Sequence, residues 1–462
     1  MRYYFAAKML SAMLMCAAIQ ALWAEPSSPS PAPERPWMHH YDQTLTMKVI
    51  VAIKKSGGGT TILLDLDHAL AAVQKIDQLT LGIPKIIYLV GWQYDGHDSK
   101  YPAFFEVNPG LKRPQDATAL DSLKWFMRQA RRYHTTVSVH INMRDAYRNS
   151  PLWQEYEDHD LLIRKEDGKL VPGGIWGGDQ SYLVCYTREW NAGYTQKRLN
   201  RLLALLPIEE AGTIHIDAFH TQECTGQGIS REQETETQKK IYRFLRDRGI
   251  DVTSEFLSDF RIDPLVGLQP MAWWLRRQEL QDYLVRPASL YTGGVDETLG
   301  GKLFGTSMHG EEIVGKDAER LPGFLREFCL QTMPWYYLNR RERLRVELTA
   351  EASEAFFSGD TVTRVDREGR ITITENGRAL RDGDNILIPA LWRKEPSLIA
   401  YSAEGYTSRS WELPPDWKGQ TEVKTAEITA SGLQPCGSLH IVNGRIQLTL
   451  KPDQGLLLTP IR

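Results

Sequence analysis

The 462-residue sequence predicts an α/β fold: a (β/α)8 TIM-type barrel followed by a C-terminal antiparallel β-sandwich. Three observations point there. From about residue 80, strand-like and helix-like patterns alternate, as in a parallel sheet covered by helices. After about residue 345 they give way to short alternating strands separated by turns. The chain also exceeds what one core fills, since single cores stop growing at roughly 250–300 residues.

Taken in order, the N-terminal "MRYYFAAKMLSAMLMCAAIQALWA" (1–24) places Arg2 and Lys8 before an apolar run and small residues. That is the order of a secretory signal peptide, and the run is short for a membrane span. It predicts export, whether periplasmic, cell-surface or secreted, with no transmembrane segment after signal removal. Cys16 lies in this segment, but "MLMC" lacks the small residues expected before a lipid-modified cysteine. "EPSSPSPAPERP" (25–36) is too rich in Pro and Ser to pack and reads as a linker.

The barrel is expected over 37–345. "KIIYLVGW" (85–92), "TTVSVHIN" (135–142), "GTIHID" (212–217) and "IDVTSE" (250–255) read as strands. Residues 118–134, 194–206 and 234–249 have helical spacing between them. In the sandwich, 346–462, "ENGR" and "VNGR" place Asn-Gly between strands, the signature of a tight hairpin.

Charge excludes some partners. With 55 Lys+Arg against 58 Asp+Glu, nothing suggests an electrostatic grip on nucleic acid, and a neutral polar ligand fits better. Cys185, Cys224, Cys329 and Cys436 are scattered without CxxC spacing, so they suggest neither a disulfide scaffold nor a zinc site. Zinc-protease, α/β-hydrolase, P-loop and dinucleotide motifs are missing, and the reading includes no cofactor and no catalytic metal.

Barrel active sites lie at the carboxyl ends of the strands. There the sequence offers His97, Asp98, Asn142, Asp217 and Glu255. Any one carboxylate can simply cap a helix or pair with an arginine. Two on neighbouring strands, near aromatic residues such as Trp176, Trp190, Trp273 and Trp274 that can stack on sugar rings, point to glycoside hydrolysis. His215 and His220 flank Asp217, and packing or hydrogen bonding is the expected role of each. A carboxyl separation of about 5–5.5 Å implies retention and about 6.5–9.5 Å inversion.

"GWQYDGHDSKYP", "VHINMRDAY", "GGDQSY", "IHIDAFH" and "VTSEF", followed by "PWYYLN" and "ALWRKEPSLIAYSAEGYTSRSWELPPDWKG", resemble in order and spacing the endo-α-N-acetylgalactosaminidases of glycoside hydrolase family 101. The resemblance covers roughly residues 80–462. It implies Asp217 as nucleophile, Glu255 as general acid/base, and retention. It further implies substrate contacts from His97 and Asp98 of "GHDS" and from Trp176, and Asn142 at its strand end, Asp179 of "GGDQSY" and Trp273 of "MAWW" are candidate substrate contacts beside them. The expected substrate is a mucin-type O-glycan or glycoprotein, with release of Galβ1,3GalNAc. In an α-linked N-acetylgalactosamine the 2-acetamido group shares the side of the leaving oxygen, so the enzyme must supply the nucleophile. Glu255 is expected to start protonated, its pKa held up by the Asp217 charge. One tryptophan precedes "DQSY", a thinner lid than the family pattern. An exo-acting α-N-acetylgalactosaminidase or α-galactosidase-like enzyme, or a glycan-binding protein without turnover, are the alternatives. The sequence leaves oligomeric state open.

Overall fold

The structure, a computed structural model, describes residues 36–257, 267–275, 279–291, 298–307, 323–417 and 419–461, with Leu265 and Leu321. The signal peptide, Cys16 and nearly all of the 25–36 linker lie outside the described residues. Among the described residues no helix is long and apolar enough to cross a membrane.

Six parallel strands form the first sheet, in the order of the chain: β1 (Leu45–Ile50), β2 (Lys85–Val90), β3 (Thr135–Asn142), β4 (Thr213–Asp217), β5 (Asp251–Leu257) and β6 (Ala272–Leu275). Helices run between them: α1 (Leu66–Leu79), α2 (Ala119–Ala130), α3 (Tyr186–Asn191), α4 (Tyr194–Leu205) and α5 (Arg231–Arg246). Local chemistry sets their starts. Asp65 caps α1 by accepting from the His68 N–H, and Thr118/Asp121 and Ser230/Gln233 close capping boxes on α2 and α5.

Alternation along each strand separates two faces. Met47, Val49, Ile87, Leu89, Val137, Val139, Ile141, Ile214, Ile216 and Val252 join the main core with Val73, Ile76, Leu123 and Phe126 of the helices. The other face is polar: Thr46 and Lys48 of β1, Tyr88 of β2, Ser138, His140 and Asn142 of β3, His215 and Asp217 of β4, Thr253 and Glu255 of β5. Several of these residues bond to one another. Tyr88 and Tyr41 both reach the Thr213 hydroxyl, at 2.7 and 2.8 Å, and His215 Nδ1 lies 2.8 Å from Thr253 Oγ1.

The sheet is strongly curled. Strands lie about 4.8 Å apart, so in a flat sheet β1 and β5 would stand about 19 Å apart. Instead Lys48 Nζ on β1 is 3.0 Å from Glu255 on β5 and 4.8 Å from the Trp273 ring centre on β6. Only a sheet wrapped around its polar face allows this. Closure into eight strands is not seen among the described residues.

From Arg343 the chain turns antiparallel. Ten strands form one sheet, and Tyr406–Glu412 pairs with Arg445–Leu450 in a small second sheet. Trp411, Ile446, Leu448 and Leu450 of the small sheet pack on Leu387, Leu398, Ala400, Val423 and Leu458 of the large one, giving two layers there. Asn376 and Gly377, at φ 48° and 77°, make the expected tight hairpin between Ile371–Glu375 and Arg378–Asp382. Asn443 and Gly444, at φ 51° and 71°, also make a tight two-residue turn, closed by the antiparallel Val442–Arg445 bridge, and it carries the chain from the large sheet to the small one.

The parallel and antiparallel parts share one core. Phe328, Trp335 and Tyr336 lie in the same buried cluster as Ile373, Ile388, Ile399, Tyr401 and Leu457 and as the helices of the first sheet.

Candidate active site

The strand register aligns the expected residues. Asn142 on β3 pairs with Asp217 on β4, and Ser254 on β5 pairs with Ile216, so Glu255 falls beside Asp217 at the carboxyl end of the sheet. The two carboxyl groups lie close enough for each to shift the ionisation of the other. Their side chains are 13% and 18% exposed, so this end of the polar face is open to a solute.

His97 and Asp98 stand on the same open end, in the loop after β2. His97 Nε2 lies 3.3 Å from Asp98 Oδ2, and the His97 ring packs edge-on to His140 at 5.4 Å. The loop is held in an uncommon conformation. Tyr94, Asp98 and Lys100 have φ of 43°, 55° and 64°, and a Cβ at Gly96 (φ 116°) would sit 2.8 Å from the Ile53 carbonyl carbon. Ile53 bridges to His97, which ties the loop to the hairpin Ala52–Lys54/Thr60–Ile62.

Trp176 and Asp179 form the rim. They flank the Gly177-Gly178 turn of the hairpin Pro172–Trp176/Asp179–Leu183, and Trp176 is 49% exposed. Asp179 pairs with Lys54 and accepts from Asn149 Nδ2 at 2.9 Å. Through Lys54 this hairpin joins the one that carries Ile53.

Two expected substrate contacts are corrected. Asn142 is buried, and its bonds are already committed: Nδ2 donates to Asp145 at 2.8 Å and towards Asp217 at 3.4 Å, while Oδ1 accepts the N–H groups of Arg144 and Asp145 at 2.8 Å. It orients Asp217 from beneath. Trp273 is fully buried, with Lys48 over its ring and His215 against its edge at 6.0 Å, so no face is free for a sugar. His215 is a packed, hydrogen-bonded histidine as expected, and His220 pairs with Arg144 at the rim.

Comparison with known proteins shows what the chain resembles. Residues 63–265 match the family model described as endo-α-N-acetylgalactosaminidase, glycoside hydrolase family 101. The resemblance read from the strand ends holds. A Renibacterium salmoninarum protein named as an endo-α-N-acetylgalactosaminidase is 22% identical over 414 residues, 84% of this chain. The chain spans 24% of that relative's length. Among solved structures, the α-N-acetylgalactosaminidase NagBb of Bifidobacterium bifidum superposes with TM-score 0.54 in its Gal-NHAc-DNJ complex and 0.53 in its GalNAc complex. Each is 12% identical and covers 73% of this chain and 59% of the other, a likeness of fold.

Within the segment that matches family 101 lie His97, Asp98, Asn142, Trp176, Asp179, Asp217 and Glu255; Lys48 lies before it. Lys48 is the functional residue that strand-end reasoning missed. A lone lysine inside the apolar "LTMKVI" was the available signal, because a charge on a buried strand needs a partner. It changes the electrostatics. Burial, then the charge and hydrogen bond of Glu255, hold the Asp217 carboxyl well above the ordinary carboxylate range, and Lys48 offsets this only in part. Burial also pushes Glu255 up, but the Lys48 ammonium and the hydrogen bond from Asp217 outweigh it and leave Glu255 lowered. Lys48 contacts Glu255 directly at 3.0 Å, so its charge favours the ionised form of Glu255 more than that of Asp217. Asp98 is raised by burial, against the pull of His97.

His140, His215 and Glu255 gather ligand atoms within 4.8 Å, as do His97, Asp98 and Asp217. In the first group the Lys48 ammonium already supplies a positive charge 3.0 Å from Glu255. Burial and that charge hold His140 and His215 well below their usual range, so both imidazoles are neutral.

Proposed function

We propose that the protein is an exported retaining glycoside hydrolase that cleaves the α-linkage between N-acetylgalactosamine and Ser or Thr of mucin-type glycoproteins, releasing Galβ1,3GalNAc. The observation that carries this is the strand register that sets Asp217 and Glu255 side by side at the open end of the curled sheet. Placement of the two acids on adjacent paired strands supports the shorter, retaining geometry of about 5–5.5 Å. Since the acetamido group of an α-linked sugar cannot attack from behind, Asp217 is the nucleophile.

With substrate bound, Asp217 is ionised and Glu255 carries the proton. Asp217 then attacks the anomeric carbon while Glu255 protonates the departing Ser or Thr oxygen, with Lys48 stabilising the carboxylate that remains. Glu255 next takes a proton from water, which opens the glycosyl ester and restores Asp217. His97 and Asp98 hydrogen-bond sugar hydroxyls, and Trp176 and Asp179 meet the sugar or peptide at the rim. In this reading the curled sheet closes as a (β/α)8 barrel over 37–345 and 346–462 forms the β-sandwich domain, after a signal peptide and linker. The contact between the first strand and the fifth supports closure.

Product analysis with two chromogenic α-glycosides, one of Galβ1,3GalNAc and one of GalNAc, tests the proposal. Intact disaccharide, released first as the α-anomer and lost by about 10³-fold or more in Asp217→Ala, is expected. In Glu255→Ala, azide should restore turnover by replacing the water that needs a base. Release from the GalNAc glycoside alone would give the exo-acting reading, which the single exposed tryptophan of the rim hairpin favours. Silence on both, with tight glycan binding, would leave a binding protein.

A further inference from the structure

The spacing of Cys185 and Cys224 suggested neither a disulfide scaffold nor a zinc site, yet their sulfurs lie 2.9 Å apart. Both are fully buried in a small apolar cluster with Ile163 and Leu183. A disulfide measures about 2.05 Å, and 2.9 Å is well inside ordinary nonbonded contact for sulfur. A shared metal fits worse. Two thiolates on one tetrahedral zinc stand about 3.8 Å apart, given Zn–S bonds of about 2.3 Å. The neighbouring Glu234 carboxylate is also engaged, accepting the N–H groups of Tyr186 and Thr187 at 3.0 and 2.7 Å at the start of α3.

We propose that Cys185 and Cys224 form a disulfide bond that pins the loop after the Asp217 strand to the base of the rim hairpin. Cys185 follows the hairpin strand Asp179–Leu183, and Cys224 lies in the loop between β4 and α5. Backbone bonds already hold the two together. Gly226 N–H donates to Arg164 O at 2.8 Å, Gln227 Nε2 to Leu162 O at 2.6 Å, and Cys185 N–H to Leu161 O at 2.8 Å. The oxidant is a small-molecule or protein disulfide of an oxidising compartment. One Cys thiolate attacks it and releases one thiol; the second Cys thiolate then displaces the other. The external disulfide gains two electrons and two protons, and the Sγ–Sγ bond forms. The hydrogen bond that Cys224 donates to Cys185, with burial, raises the Cys224 thiol far above its usual range, so bonding belongs to folding, before the pair is sealed.

The test is peptide mapping of the full chain produced in an oxidising compartment, alkylated under denaturing conditions without reductant. Cys329 and Cys436 should be alkylated, and Cys185 and Cys224 recovered as one linked peptide pair, two hydrogens lighter than its reduced form. Cys185→Ser should expose Cys224 to alkylation and lower Tm by roughly 4 °C, the effect of reopening a loop of that length in a chain of this size. If Cys185→Ser fails to fold, the wild-type map decides alone. Complete alkylation of both cysteines after refolding with oxidised glutathione, or one equivalent of zinc held by the purified protein, would overturn the proposal.

Discussion

Lys48 lies on β1 with its side chain 2% exposed and its ammonium 3.0 Å from Glu255. It lowers the pKa of both carboxyls, Glu255 by direct contact and Asp217 at longer range. Asp217 is raised, so the pair keeps its shared proton to higher pH than an ordinary carboxylate; Glu255 is lowered, so the pair avoids a second proton to lower pH. The singly protonated, active form therefore spans a broad window. In Lys48→Met both limbs of the kcat/KM–pH profile should move to higher pH, the acid limb further because its contact is direct, and kcat should fall on substrates with poor leaving groups. An acid limb that stays put would separate Lys48 from the titration of Glu255. The two acids were legible in sequence because apolar alternation ended on each. Lys48 was not, because its partner is 207 residues away and nothing local announces it. Asn142 and Trp273 were misplaced for the same reason: strand position fixes the face a residue points to, but not whether another side chain already covers it.

At the scale of elements, the helices behind the site are fixed by a buried ion pair. Arg198 on α4 meets Glu189 on α3, Nε to Oε1 at 2.6 Å and Nη2 to Oε2 at 2.9 Å, with the side chains 2% and 0% exposed. The same guanidinium donates to Pro102 O and Met143 O at 3.3 and 3.2 Å, tying both helices to the loops after β2 and β3. Removing one partner leaves a buried charge, so Arg198→Met should cost about 3–5 kcal/mol in urea unfolding, and adding Glu189→Met should restore most of that. A double variant as unstable as the single would show that packing, not the uncompensated carboxylate, sets the cost. Helix α4 was legible to within a residue from its apolar spacing. The start of α5 was placed at 234 rather than Arg231, because the polar first turn carries no apolar stripe; the Ser230/Gln233 capping box was the readable signal. Strand β1 and helix α1 precede the region where alternation was sought, and so they went unread.

At the scale of the whole molecule, the change from alternating α/β to antiparallel pattern was legible, but the seam between the two parts was not, since long-range packing leaves no periodic trace. That seam is extensive. Trp392 donates Nε1–H to Leu81 O at 3.1 Å in the turn before β2 and meets Phe328 and Tyr336 edge-on at 5.8 and 5.3 Å. Tyr337 donates to Glu375 Oε1 at 2.6 Å, and Arg341 pairs with the same carboxylate. Burial alone would raise Glu375, but hydrogen bonds from Tyr337, Arg378 and Arg341 hold it below the ordinary range. Cutting the chain here would bare the faces of Phe328, Tyr336, Ile373 and Ile388 together. The two parts should therefore unfold as one: a single calorimetric transition, with calorimetric and van't Hoff enthalpies equal, and near-UV and far-UV signals that coincide. Trp392→Ala should lower that single Tm by removing the packing and the Leu81 hydrogen bond together, without dividing it. Two resolved transitions in the wild type, or a folded 37–345 fragment as stable as the whole, would mean that each part carries its own core and that the contacts across the seam add little.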